Sequence, residues 1–209
     1  MPDRTRQRGM VRRGRLRIIG GQWKRRQLSL AELPGLRPTP DAVRETLFNW
    51  LQGSLAGRSC LDLFAGSGAL GFEAASRGAA RVVMIERSRR AAAGLIASKQ
   101  QLGADKVDII VDDALRYLRR TKEQFDIVFV DPPFEKGLVR PACDLLYRRN
   151  VLKAGAFVYL EAERRLSPLP VPASWELVQR NVAGAIGYHL LRKPCERQSS
   201  ASAHTPQPS

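Results

Sequence analysis

The apolar run Phe125-Asp126-Ile127-Val128-Phe129-Val130 stops at Asp131-Pro132-Pro133-Phe134, and this stretch restricts the possible folds most tightly. A run so short and β-branched, ended by a proline pair, reads as a buried strand that halts abruptly. Pro132 has a fixed φ and no N–H, so it cannot carry a ladder further, and Pro133 biases Pro132 towards an extended conformation. The result is a stiff turn that presents a carboxylate, carbonyls without local partners and an aromatic ring. In an open α/β sheet such strand ends face the ligand crevice. Asp131, Pro132, Pro133 and Phe134 are therefore the candidate catalytic residues, suited to gripping a planar group that bears an amine. An ordinary strand-ending loop with a buried phenylalanine would look the same in isolation.

The rest of the chain supplies a sheet for that strand. Leu61 to Phe64 reads as a first buried strand, and Ala65-Gly66-Ser67-Gly68-Ala69-Leu70-Gly71 opens a helix that runs to about Arg77. Glycines 66, 68 and 71 have the spacing that permits a tight turn and close backbone approach to a cofactor. The next strand, Arg81 to Ile85, ends at Glu86, where a carboxylate can accept from ribose hydroxyls. A helix from Ser88 to Leu102 leads to strand Val107 to Val111 and then to Asp112-Asp113-Ala114, an acid placed to accept from an adenine amine. A helix from Leu138 to Arg149, a strand from Ala156 to Leu160 and a closing hairpin of 175–183 and 186–191 about Gly184 complete the pattern. Such alternation predicts a doubly wound, mostly parallel sheet. The candidate cofactor residues are Asp62, Phe64, Ala65, Gly66, Ser67, Gly68, Glu86, Asp113 and Ala114.

Charge decides what the enzyme meets. Lys and Arg total 35 against 20 acids, a formal net charge of +15, and ten of residues 1 to 26 are basic with Asp3 the only acid among them. A concentrated excess of this kind favours a polyanion, and nucleic acid fits it best. Residues 1–15 read as a disordered basic arm, and residues 16–30 as a small hairpin about Gly20-Gly21. The hairpin carries Arg17, Trp23, Lys24, Arg25 and Arg26, which are expected to pair phosphates and stack a base; packing of Trp23 onto the main domain is the other reading. Residues 31–40 are proline-rich and loop-like. Asp41 then caps an amphipathic helix to Leu51, with Val43, Leu47, Phe48 and Leu51 on one face and Arg44 and Glu45 away from it. That helix carries Arg37, Thr39 and Arg44 towards the next element, with Arg37 a further RNA-binding candidate. Residues 16–193 form the single domain, and 194–209 a disordered polar tail.

No apolar run approaches the roughly 18 residues of a membrane span, and no apolar signal core follows the basic start, so a cytoplasmic, monomeric protein is expected. Cys60, Cys143 and Cys195 lack metal-ligand spacing, and His189 and His204 are the only histidines, so neither a metal site nor a histidine triad is expected.

Two cofactors suit a glycine turn followed by strand-end acids. A nicotinamide dinucleotide places its pyrophosphate on the turn, whereas S-adenosylmethionine places a methionine ammonium there. Asp62 would repel the first and attract the second, which makes the methyl donor the expected cofactor. At this point the residues resemble a known family. The run from Asp62 to Gly71, together with Asp131 to Phe134, Arg17 to Gly21 and Leu36 to Leu51, is similar to the bacterial 16S rRNA guanine-N2 methyltransferases, across about residues 16 to 192. The resemblance implies a Rossmann-like class I methyltransferase: a seven-stranded, mostly parallel sheet with an antiparallel last strand, plus the N-terminal hairpin. It also implies a guanine of 16S rRNA as target, in the small subunit or its assembly intermediate. Two alternatives stand beside it: an enzyme acting on another amine such as N6 of DNA adenine, and an RNA-binding adaptor that has lost catalysis.

Overall fold

The computed structural model describes residues 15–29 and 39–195. The basic arm, the proline-rich loop with Arg37, and the tail with His204 lie outside the described residues, apart from their last or first members.

Two short strands, β1 (Arg15–Arg17) and β2 (Gln27–Ser29), pair antiparallel with Leu16 opposite Leu28, joined through a 3-10 turn at Gly21–Trp23. Helix α1 (Asp41–Trp50) precedes an alternating series: β3 (Ser59–Asp62), α2 (Ala69–Ser76), β4 (Arg81–Glu86), α3 (Arg89–Leu102), β5 (Val107–Val111), α4 (Ala114–Arg120), β6 (Phe125–Val130) and α5 (Val139–Arg148). Three strands follow, β7 (Leu152–Glu163), β8 (Glu176–Ala183) and β9 (Ile186–Arg192). The sheet order is β5-β4-β3-β6-β7-β9-β8, with every pair parallel except those of β9, the last strand in the chain. The expected seven-stranded sheet, antiparallel last strand and separate hairpin are all present.

Strand geometry sorts the side chains. Successive residues alternate faces, so Cys60, Met84, Ile127, Phe129 and Tyr159 enter one core layer with α1, α2 and the hairpin, while Leu61, Val83, Val128, Val130 and Leu160 enter the other with α4 and α5. The parallel strands are buried on both faces, which is why they read as unbroken apolar runs. Two bounds differ from the sequence reading. Strand β3 ends at Asp62 and leaves Leu63 and Phe64 to the loop. Strand β7 begins at Leu152 because a register shift opposite Phe125 and Ile127, with Gly155 at φ +71°, absorbs the residues that break the alternation.

Helix α1 brings the main correction. Arg44, expected to point away from the packed face, is fully buried. Its guanidinium donates to the Thr39 and Arg17 carbonyls at 3.2 and 2.9 Å and to Asp41 Oδ1 at 2.5 Å, with Nη1 3.6 Å from Glu73 Oε2. A buried cation is tolerated only where such partners replace water, and periodicity alone cannot report partners from distant elements. Asp41 makes no helix cap either: Pro40 occupies that position, and the Asp41 side chain goes to Arg17 and Arg44. Burial opposes its ionisation, but the two guanidiniums outweigh it and hold its carboxyl below the usual range.

Glu73, also fully buried, fastens the hairpin to the domain. It accepts from the Ile19 and Gly20 backbone N–H groups at 2.8 and 2.7 Å and from Arg77 Nε at 2.7 Å. The approach is so close that a Cβ on Gly21, at φ +74°, would lie 1.9 Å from the Ser76 carbonyl oxygen. Glu73→Ala would leave the Ile19 and Gly20 N–H groups and Arg77 Nε without this acceptor and take away the charge beside Arg44. It is expected to lower stability by about 3–5 kcal/mol, the cost of breaking a buried pair, measured as a shift in the urea unfolding midpoint with m unchanged.

Candidate active site

Register places four acids on one face of the sheet at its carboxyl edge. Asp62 lies opposite both Met84 and Phe129, so Glu86 and Asp131 sit one rung beyond it on that face; Val130 pairs with Leu160, so Asp131 and Glu161 follow side by side. The row runs Glu86, Asp62, Asp131, Glu161 across β4, β3, β6 and β7. Among the described residues no three His, Cys, Asp or Glu side chains converge as a metal site would require.

The glycine turn lies between the first two acids. Glu86 accepts from Gly66 N–H at 2.9 Å through one oxygen and from Ser88 N–H at 2.6 Å through the other. Asp62, 2% exposed, accepts from Gly71 N–H at 3.0 Å. A Cβ on Gly71 would meet Met84 Cε at 2.3 Å and the Asp62 carboxylate at 3.1 Å, so a larger residue here would have to displace the Met84 side chain and press on the Asp62 carboxylate. Burial pushes the Asp62 carboxyl up to about 7 against that N–H bond, with the Asp131 and Glu86 charges adding to the rise. Asp62 thus sits beneath the turn and holds it, while Phe64, Gly66, Ser67 and Glu86 are partly exposed around it. Ala65 and Gly68 are buried within the turn. Asp113 caps α4, its carboxylate accepting from Arg116 N–H at 3.0 Å, and Ala114 is buried behind it. The neighbouring Asp112 is taken up by Arg116 and Arg120 at 2.6 and 2.5 Å.

Beyond β6 the turn behaves as a stiff, outward-facing edge. Pro132 is buried, Pro133 is exposed and Phe134 is 39% exposed. A cavity of about 430 Å³ opens beside it, lined in part by Pro133, Phe134, Arg140, Arg165 and Pro168. Asp131 receives the Thr39 hydroxyl at 3.3 Å, and burial raises its carboxyl to about 6 in spite of that bond.

Two residues of this site escaped the sequence reading. Thr39 was placed near the sheet without a role, and it contacts Asp131. Glu161, 5% exposed, accepts from the Tyr159 hydroxyl at 2.8 Å. A signal existed for it, since Tyr159-Leu160-Glu161 ends a buried run with an acid as the other site strands do. Of the RNA-binding candidates, Lys24, Arg25 and Arg26 are exposed and Arg17 is exposed but paired with Asp41. Trp23 needs correction: it is 7% exposed, its N–H is held by Ser76 Oγ at 2.9 Å, and its ring belongs to the core, where apolar burial outweighs surface stacking.

Known proteins match this arrangement. The family described as conserved hypothetical protein 95 matches residues 16–192. The ribosomal RNA small subunit methyltransferase D of Escherichia coli is 43% identical over 188 residues, covering 90% of this chain and 95% of that protein. Its Haemophilus influenzae counterpart is 41% identical over 184 residues, covering 86% and 95%. The solved structure of the Escherichia coli yhhF protein is 40% identical, covers 88% of this chain and all of that one, and superposes with a TM-score of 0.82. The fold is that of the Rossmann-like, S-adenosylmethionine-dependent methyltransferases. With the match extending over nearly the whole described chain, this protein belongs to the conserved hypothetical protein 95 family, alongside the ribosomal RNA small subunit methyltransferase D proteins.

Proposed function

We propose that this chain methylates small-subunit ribosomal RNA, transferring a methyl group from S-adenosylmethionine to the exocyclic N2 of a guanine in 16S rRNA. The observation that supports the reading most is that Asp131 to Phe134 lie at the same carboxyl edge of the sheet as the glycine turn and Glu86. The relatives' names support the RNA substrate.

The cradle suits the cofactor. Gly66 and Ser67 are accessible, Glu86 offers carboxylate oxygens for a ribose diol, and Asp113 stands at the third strand end for the adenine amine. Asp62 keeps the turn in shape, and a methionine ammonium above it would favour its charged form against burial. When bound, S-adenosylmethionine supplies an electrophilic sulfonium methyl, so the N2 lone pair forms the new bond while the S–C pair stays on sulfur. The remaining difficulty is the nucleophile, whose lone pair is delocalised into the guanine ring. Hydrogen bonds from the amine to the Asp131 carboxylate and the Pro132 carbonyl favour a pyramidal nitrogen and free that pair for attack. Phe134 stacks on the extruded base. With its affinity for protons raised by burial, Asp131 is ionised at neutral pH yet basic enough to take the amine proton as the bond forms. Lys24, Arg25 and Arg26 on the hairpin meet RNA phosphates.

Glu86→Ala removes the ribose acceptor and the partner of Gly66. S-adenosylmethionine binding, followed by calorimetry, should weaken by about 1.5–3 kcal/mol, the range for hydrogen bonds to charged groups; unchanged affinity in a folded variant would remove Glu86 from this role. Asp131→Asn presents an amide N–H to the amine in place of one acceptor. Single-turnover transfer of labelled methyl groups into small subunits lacking the modification should slow by about 3 kcal/mol in activation free energy, with cofactor affinity retained. Mapping the methylated nucleotide in those subunits tests the guanine assignment directly; label recovered in adenine would replace it with the adenine reading.

A further inference from the structure

Asp131 and Glu161 form a pair that the amine grip does not by itself explain. Both lie on the same sheet face, one step past the Val130–Leu160 rung. Glu161 is 5% exposed and Tyr159 fully buried, and the Tyr159 hydroxyl is committed to Glu161 at 2.8 Å. Thr39 covers the pair from the start of α1, reaching Asp131 at 3.3 Å. Among the described residues, the other ionisable groups near this pair are Asp62 on β3 and Tyr188 on β9, which lies opposite Glu161 in register. Among the described residues, no basic side chain figures among the groups that act on either carboxyl. Two adjacent carboxylates in such surroundings cannot both be charged without a large electrostatic penalty, so the pair retains one proton.

We propose that Glu161 is a positioning residue that keeps the pair's proton, and so leaves Asp131 ionised and held against the sheet to receive the substrate amine. This rests on the reading of Asp131 as the amine acceptor. Burial first, and then the Asp131 charge, raise the Glu161 carboxyl to about 8 against the opposing hydroxyls of Tyr159 and Thr39. Asp131 is partly exposed whereas Glu161 is 5% exposed, so water solvates a charge better on Asp131 and the proton is better kept on Glu161. During transfer the amine proton passes to Asp131 and from there to solvent, while Glu161 retains its own. Above the Glu161 titration the second charge appears, repels Asp131 and loosens its hold.

The test uses Glu161→Gln, which imitates the neutral acid, and Glu161→Ala, which removes it. In single-turnover transfer at pH 7, Glu161→Ala should lose about 30- to 100-fold, the scale of a misplaced catalytic group. Glu161→Gln should recover most of that loss and abolish the decline on the alkaline side of the wild-type pH profile. A second reading needs no substrate. The Glu161 affinity for protons is higher folded than unfolded, so its contribution to stability is complete below about pH 4.5 and is lost as pH rises through about 8. Urea unfolding of the wild type should show that loss, and Glu161→Gln should lack it. Equal impairment of both variants, or an unchanged alkaline profile and unfolding curve in Glu161→Gln, would overturn the proposal. Wild-type transfer in Glu161→Ala alongside slow transfer in Asp131→Asn would overturn it while leaving the amine grip standing; wild-type transfer in both would remove the amine grip as well.

Discussion

A parallel sheet can carry a row of acids along one edge only if each acid, as it leaves water, is given a donor or a proton. Here Glu86 is satisfied by two backbone N–H groups, Asp62 by the first turn of α2, Asp131 by the Thr39 hydroxyl and Glu161 by Tyr159. The donors come from four separate places in the chain. Three of these contacts fix segments that the site requires, the glycine turn, the start of α2 and the segment entering α1, while the Tyr159–Glu161 bond lies within β7. The negative edge is therefore both the chemistry of the crevice and the scaffold of its walls.

The hairpin depends on the same economy of buried charge. Glu73 lies in α2, two residues past the glycine that Asp62 secures, and reaches back to the hairpin backbone at Ile19 and Gly20. Arg44 closes the circuit from α1 to β1 and the Thr39 carbonyl, whose side-chain hydroxyl touches Asp131. A continuous set of hydrogen bonds thus joins the basic hairpin to the candidate catalytic carboxylate. Packed networks of this kind have few alternative arrangements, so the hairpin and the crevice keep a fixed geometry. Under the proposed function, such rigidity would let contacts at the hairpin help to position a base at Phe134.

The sequence by itself determined the sheet, its order of elements and three of the four acids, because these depend on local rules. Buried parallel strands are continuous apolar runs, proline and glycine end them, and an acid after such a run has only the crevice to face. The tertiary structure decided what local rules do not contain. Arg44 looks like a solvated helix residue until distant carbonyls and Glu73 surround it, and Trp23 looks like a stacking surface until α2 covers it. Glu161 looks like the polar end of a strand until parallel register sets it beside Asp131. In each case the deciding quantity is the environment of a charge or ring, which is assembled from residues far apart in the chain and exists only once the elements have packed.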